Sequence, residues 1–94
     1  MAHKAEEAAD FLKMLSSSTR LMLLCQLLDG ERSVGELAQG TGQRLTTVSQ
    51  QLSLLRAHGM VSSRREGATI HYAVAHPAVI DVIRVLYAQF CKDQ

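Results

Sequence analysis

The stretch Gly42-Gln43-Arg44-Leu45-Thr46-Thr47-Val48-Ser49-Gln50-Gln51-Leu52-Ser53-Leu54-Leu55-Arg56-Ala57-His58-Gly59-Met60-Val61 decides the fold. Val48, Leu52 and Leu55 recur at i, i+4 and i+7, one face of an α-helix, while Thr46, Thr47, Ser49, Gln50 and Ser53 lie off that face. The outward side therefore carries short hydrogen-bonding groups and no carboxylate. A helix docked only against its own domain usually mixes charges on its wet face, whereas one laid against a polyanion must exclude Asp and Glu. The spacing predicts a DNA-reading helix.

Upstream of it, Ser33 caps a short helix from Val34 to about Gln39, and Glu36 at its third position completes a capping box. Gly40-Thr41-Gly42 breaks that helix. Two helices joined by a tight glycine-containing turn, the second longer and polar-faced, make a helix-turn-helix over residues 33–57. Downstream the period changes from helical to alternating. Val61 to Arg65 reads as one strand and Ile70 to Val74 as a second, with residues 70, 72 and 74 inward and Glu66-Gly67-Ala68-Thr69 as the tip. This predicts a wing over residues 61–74 with Arg64 and Arg65 at its root. The planar fork of arginine suits a phosphate or a groove edge.

Further out, Lys4 to Leu15 carries Ala5, Ala8, Ala9, Leu12 and Leu15 at helical spacing, a small-residue stripe that lets two helices approach closely. Ser16, Ser17 and Ser18 offer an N-cap to a second helix, about Thr19 to Leu28, which is apolar almost all round and so belongs in the centre of the fold. Asp29-Gly30 ends it. His76-Pro77 starts a last helix striped by Val79, Val82, Ile83, Leu86 and Phe90, and widened by Ile80, Tyr87 and Cys91. So much apolar surface on a terminal helix implies a partner. The expectation is a homodimer sealed by residues 1–15 and 76–94.

The whole chain, residues 1–94, thus reads as a single winged helix-turn-helix domain, mainly α with a small β-hairpin, in the order α-α-α-α-β-β-α. A chain of 94 residues buries only about 60 to 65% of its unfolded surface, which favours dimerisation as added core. No apolar run reaches the 18 or more residues of a membrane span, and Met-Ala-His-Lys-Ala-Glu-Glu lacks a signal-peptide core, so the expected location is cytoplasmic, with no membrane partner. Net charge is only +1, but from Leu37 to Arg65 there are four arginines and no Asp or Glu. A basic face on an otherwise acidic body suits a protein that binds double-stranded DNA on one side. The DNA contacts expected are Thr46, Thr47, Ser49 and Gln50 in the major groove, with Arg64 and Arg65 on the wing. Arg56 is open to either DNA or a structural ion pair.

No paired carboxylates, Ser-His-Asp order or phosphate-binding glycine loop is present, so no catalytic residues are assigned and an enzyme is the least favoured class. His3, His58, His71 and His76 are scattered, so no metal ligands and no cofactor are assigned either. Cys25 and Cys91 are the two cysteines, and in a reducing compartment they are two free thiols or a redox pair.

The order of elements, together with Ser33-Val34-Gly35-Glu36-Leu37, Val48-Ser49-Gln50-Gln51-Leu52, Leu55-Arg56, Gly59-Met60-Val61 and Tyr72, resembles the ArsR/SmtB family of winged-helix repressors over nearly the whole chain. Members are dimeric repressors that sense metals or reactive small molecules. The family's Cys-x-Cys site for arsenic, cadmium or lead would fall on Ser33 to Leu37, which has no cysteine. Its zinc site would fall on the last helix, where Asp81 is followed by no histidine. Cys25 and Cys91 instead look like the pair of the dithiol, persulfide-sensing subgroup typified by BigR and SqrR. That resemblance implies reactive sulfur species as inducer and release of operator DNA when the pair is bridged. It departs from a common pattern in having Arg44-Leu45, where many members have Ser-Gln at the start of the reading helix.

Attack on a persulfide sulfur requires a thiolate. Burial raises the pKa of Cys25, and Lys92 is the cation nearest Cys91 in sequence. Cys91, the more exposed, is expected to react first and Cys25 to resolve the adduct. Since a plain disulfide demands Cα atoms within roughly 7 Å, a bridge holding extra sulfurs would select persulfide over peroxide if the reduced pair sits further apart. Two alternatives stand beside this reading: a peroxide-responsive thiol regulator of the HlyU type acting as an anti-repressor, and a winged-helix protein-interaction module.

Overall fold

The computed structural model describes residues 2–91. Five helices and three strands follow in the order α1 (Ala2–Leu15), α2 (Ser18–Leu27), β1 (Arg32–Ser33), α3 (Val34–Thr41), α4 (Leu45–Ala57), β2 (Val61–Glu66), β3 (Thr69–Val74) and α5 (Pro77–Phe90). This is the expected winged helix-turn-helix, with one element more than expected. β1 pairs antiparallel with β3, Arg32 opposite Tyr72 and Ser33 opposite His71, so the wing is a three-stranded sheet in the order β1-β3-β2.

Helix starts follow from local chemistry. Ser17 caps α2 by accepting from the Arg20 N–H, and Ser33 and Glu36 form the reciprocal capping box of α3. His76 caps α5 through Nδ1, which accepts from the Ala78 N–H, and Pro77 occupies the first turn, where its missing N–H costs no bond. Gly42 ends α3 in the left-handed conformation, φ 70°, which a side chain would resist. α4 begins at Leu45, three residues after Gly42, with Arg44 as its N-cap.

Leu23, Leu24 and Leu27 of α2 meet Leu37 of α3, Val48, Leu52 and Leu55 of α4, Tyr72 of β3, and Val79 and Ile83 of α5 in one core. The terminal helices divide their apolar residues differently from the expectation. On α5, Val79 and Ile83 are core, and Val82 and Leu86 pack against it, so most of the expected partner stripe is spent inside the domain. The residues left outside are Val85, Tyr87 and Phe90, the last 79% exposed. On α1, Phe11, Met14 and Leu15 face the core, while Ala5, Ala8, Ala9 and Leu12 are exposed. No helix among the described residues is long and apolar enough to cross a membrane.

Candidate nucleic-acid interface and thiol pair

On α4 the inward residues Val48, Leu52 and Leu55 are wholly buried, which fixes the opposite side of the helix outward. Thr46, Ser49 and Gln50 are exposed and Thr47 is half-buried. The four polar residues read from the sequence therefore share one helix and crowd its first two turns, the end that reaches base edges in a helix-turn-helix.

The wing differs from the expectation. β2 and β3 run one residue further than expected and close through Gly67 and Ala68, with Glu66 opposite Thr69. Gly67 supplies the positive φ, 64°, that a two-residue hairpin turn of this kind places first. Arg64 and Arg65 accordingly stand near the tip, not at the root. Alternation along the strand sends them to opposite faces. Arg65 shares a face with its cross-strand neighbour Ile70, is exposed, and makes no ion pair among the described residues. Arg64 lies on the other face, opposite His71, and its fork is already occupied. Nε donates to both Glu31 oxygens at 2.9 and 2.8 Å, and Nη2 donates to Oε1 at 2.6 Å. Glu66 Oε2 lies 3.5 Å from Nη1. The bond from Arg64 holds the Glu31 carboxyl below the usual carboxylate range, and Glu31 in turn raises Arg64.

Glu31 lies outside the acid-free window in sequence, and β1 carries it to the wing. The two arginines are thus unequal: Arg65 is open to a phosphate, and Arg64 must first leave a bidentate carboxylate. Arg56, at the end of α4, is exposed and makes no ion pair among the described residues.

Cys25, on α2, is half-buried against the core, and Cys91 follows the last turn of α5 as its C-cap, its N–H donating to the Tyr87 carbonyl at 2.8 Å. Both are free thiols. Burial pushes the Cys25 thiol up, and charge on Cys91 pushes it further. α2 packs on α5, so the helix that holds Cys25 lies against the helix that Cys91 ends. Lys92, the cation expected to assist Cys91, lies outside the described residues.

Sequence reading missed Arg20. Its Nε donates to the Met14 carbonyl at 2.7 Å, Nη2 to the Lys13 carbonyl at 3.3 Å, and Nη1 to Gln51 Oε1 at 3.0 Å. One side chain therefore ties the end of α1 and the start of α2 to the middle of α4. The available signal was a single cation in an otherwise apolar helix. Among the described residues no three His, Cys, Asp or Glu side chains converge as a metal ion would require.

Residues 17–63 match the family model described as bacterial regulatory protein, arsR family. The chain is 46% identical, over its full length and 80% of the relative's, to the biofilm growth-associated repressor of Agrobacterium fabrum. It is 35% identical, over 98% of its length and 85% of the relative's, to the transcriptional activator HlyU of Vibrio cholerae. Among solved structures, the transcriptional repressor BigR from Xylella fastidiosa superposes with a TM-score of 0.90 at 44% identity, covering 97% of this chain and 93% of that one. A homodimeric winged helix-turn-helix DNA-binding domain from Mycobacterium bovis superposes with a TM-score of 0.80 at 35% identity, covering 98% and 83%.

Proposed function

The chain belongs to the arsR family of bacterial regulatory proteins, whose members here are transcription regulators and not enzymes, and from that premise we propose a homodimeric, cytoplasmic repressor released from operator DNA by reactive sulfur. The observation that carries the reading is the packing of α2, which holds Cys25, on α5, which ends at Cys91, with both thiols free. We read these two free thiols, one on the central helix and one at the end of the last, as the pair that the inducer bridges.

The chemistry balances with persulfide alone. The Cys91 thiolate takes the outer sulfur of a low-molecular-weight persulfide, releasing its thiol and leaving a Cys91 persulfide. A second persulfide acts as oxidant while the bridge to Cys25 closes. Overall, two cysteine thiols and two persulfides give one trisulfide, two thiols and one hydrogen sulfide. Cys25, whose thiol is held protonated by burial, suits the later, resolving step.

Bridging would fasten α2 to α5. Arg20 joins α2 to Gln51 of α4, so a shift of α2 reaches the reading helix. In a dimer the two reading helices must match half-sites about 34 Å apart. A coupling of about 2.7 kcal/mol between bridging and binding weakens DNA binding roughly 100-fold, within the ordinary allosteric range. The higher identity to the repressor than to the activator favours repression. Mass spectrometry tests the sensing step: persulfide should add sulfur between Cys25 and Cys91, and a plain loss of two hydrogens, equally fast with peroxide, would sink the proposed selectivity. A reporter fused to the chain's own upstream DNA should be silent until persulfide is added; activation by the reduced protein would favour the activator reading.

A further inference from the structure

Leu45 opens α4 and is 60% exposed, with no part in the core to which Val48, three residues later, wholly belongs. A lone surface leucine is ordinary, but the place of this one is not. It lies one turn before Ser49 on the same flank of the helix, beside Thr46, at the end that enters a major groove. Arg44 precedes it as the N-cap, makes no capping bond through its side chain, and forms no ion pair among the described residues. The tip of the reading helix therefore presents a leucine flanked by a cation. Arg44 suits the phosphate backbone. For the leucine, the major groove offers one apolar partner on its base edges, the C5-methyl group of thymine.

We propose that Leu45 is a specificity-determining residue that packs on a thymine methyl group in each operator half-site. This rests on α4 being the DNA-reading helix.

The probe is a set of duplexes enriched by the wild-type dimer from a random-sequence pool. Each thymine is replaced in turn by deoxyuridine, which removes only the methyl group, and affinity is read by fluorescence anisotropy for wild type and Leu45→Ala. The expected result is one thymine per half-site whose replacement weakens wild type about fourfold, the worth of one buried methyl-sized group, while Leu45→Ala binds both duplexes alike. The proposal is overturned if no thymine shows the effect, or if Leu45→Ala loses as much as wild type at the same position. A chain that enriches no sequence at all overturns the reading of α4 itself, a different and recognisable failure. Because Leu45 is outside the core, Leu45→Ala should keep the wild-type thermal midpoint.

Discussion

Cys25 and the wing arginines are where single side chains decide the account. The raised pKa of Cys25 has two causes, burial first and Cys91 second, and only the second is removable by mutation. Alkylation of Cys25 followed against pH should show a midpoint above that of the urea-unfolded chain, and Cys91→Ser should lower it part of the way; an unchanged midpoint would mean that the thiols are not neighbours. The sign for stability follows. The folded state holds this proton longer than the unfolded one, so stability falls as pH rises from the unfolded thiol value through the folded value. Glu31 and Glu36 have depressed values, so their contribution is present above the unfolded carboxylate value and is lost as pH falls through the folded one. On the wing, Arg65→Ala should reduce the salt slope of DNA binding by about one unit, and Arg64→Ala by less, because Arg64 is already paired with Glu31. Equal losses would show that DNA draws Arg64 away from its carboxylate. The sequence marked both arginines as equivalent, because the partner that separates them sits thirty-three positions upstream.

At the scale of elements, most of the fold was legible because several helices carry a local signal at one end. Ser33 with Glu36, Gly42, and His76 with Pro77 are local signals, and the structure uses all of them. Ser33→Ala should cost about 1 kcal/mol in chemical denaturation, the usual worth of an N-cap; a neutral result would mean that the capping box is not formed in solution. β1 was not legible. Two residues have no period, and Ser33 already had a complete role as a cap, so nothing in sequence indicated that it also pairs with His71. The candidate site divides the same way. The polar face of α4 follows from helical period alone, whereas Arg20's link to Gln51 and the packing of Cys25's helix on the helix that Cys91 ends depend on how distant elements meet.

For the whole molecule, the unburied apolar residues of α1 and α5 are the structural reason to expect a dimer. Phe90 is the most exposed of them, at the end of the stripe that Val79 and Ile83 begin. Phe90→Asp should run as a monomer in light scattering at concentrations where wild type is a dimer, with its far-UV circular dichroism retained; a persistent dimer would move the interface elsewhere. In the proposed mechanism a dimer is needed because one helix cannot measure half-site spacing, and the thiol bridge would act by changing that spacing. The most direct test of the account is DNA binding by the reduced protein, measured before and after a low-molecular-weight persulfide, for wild type, Cys25→Ser and Cys91→Ser. Wild type should bind about 100-fold more weakly after treatment, and both variants should bind like reduced wild type and ignore persulfide. Full release of DNA by either variant would contradict a switch made of these two thiols.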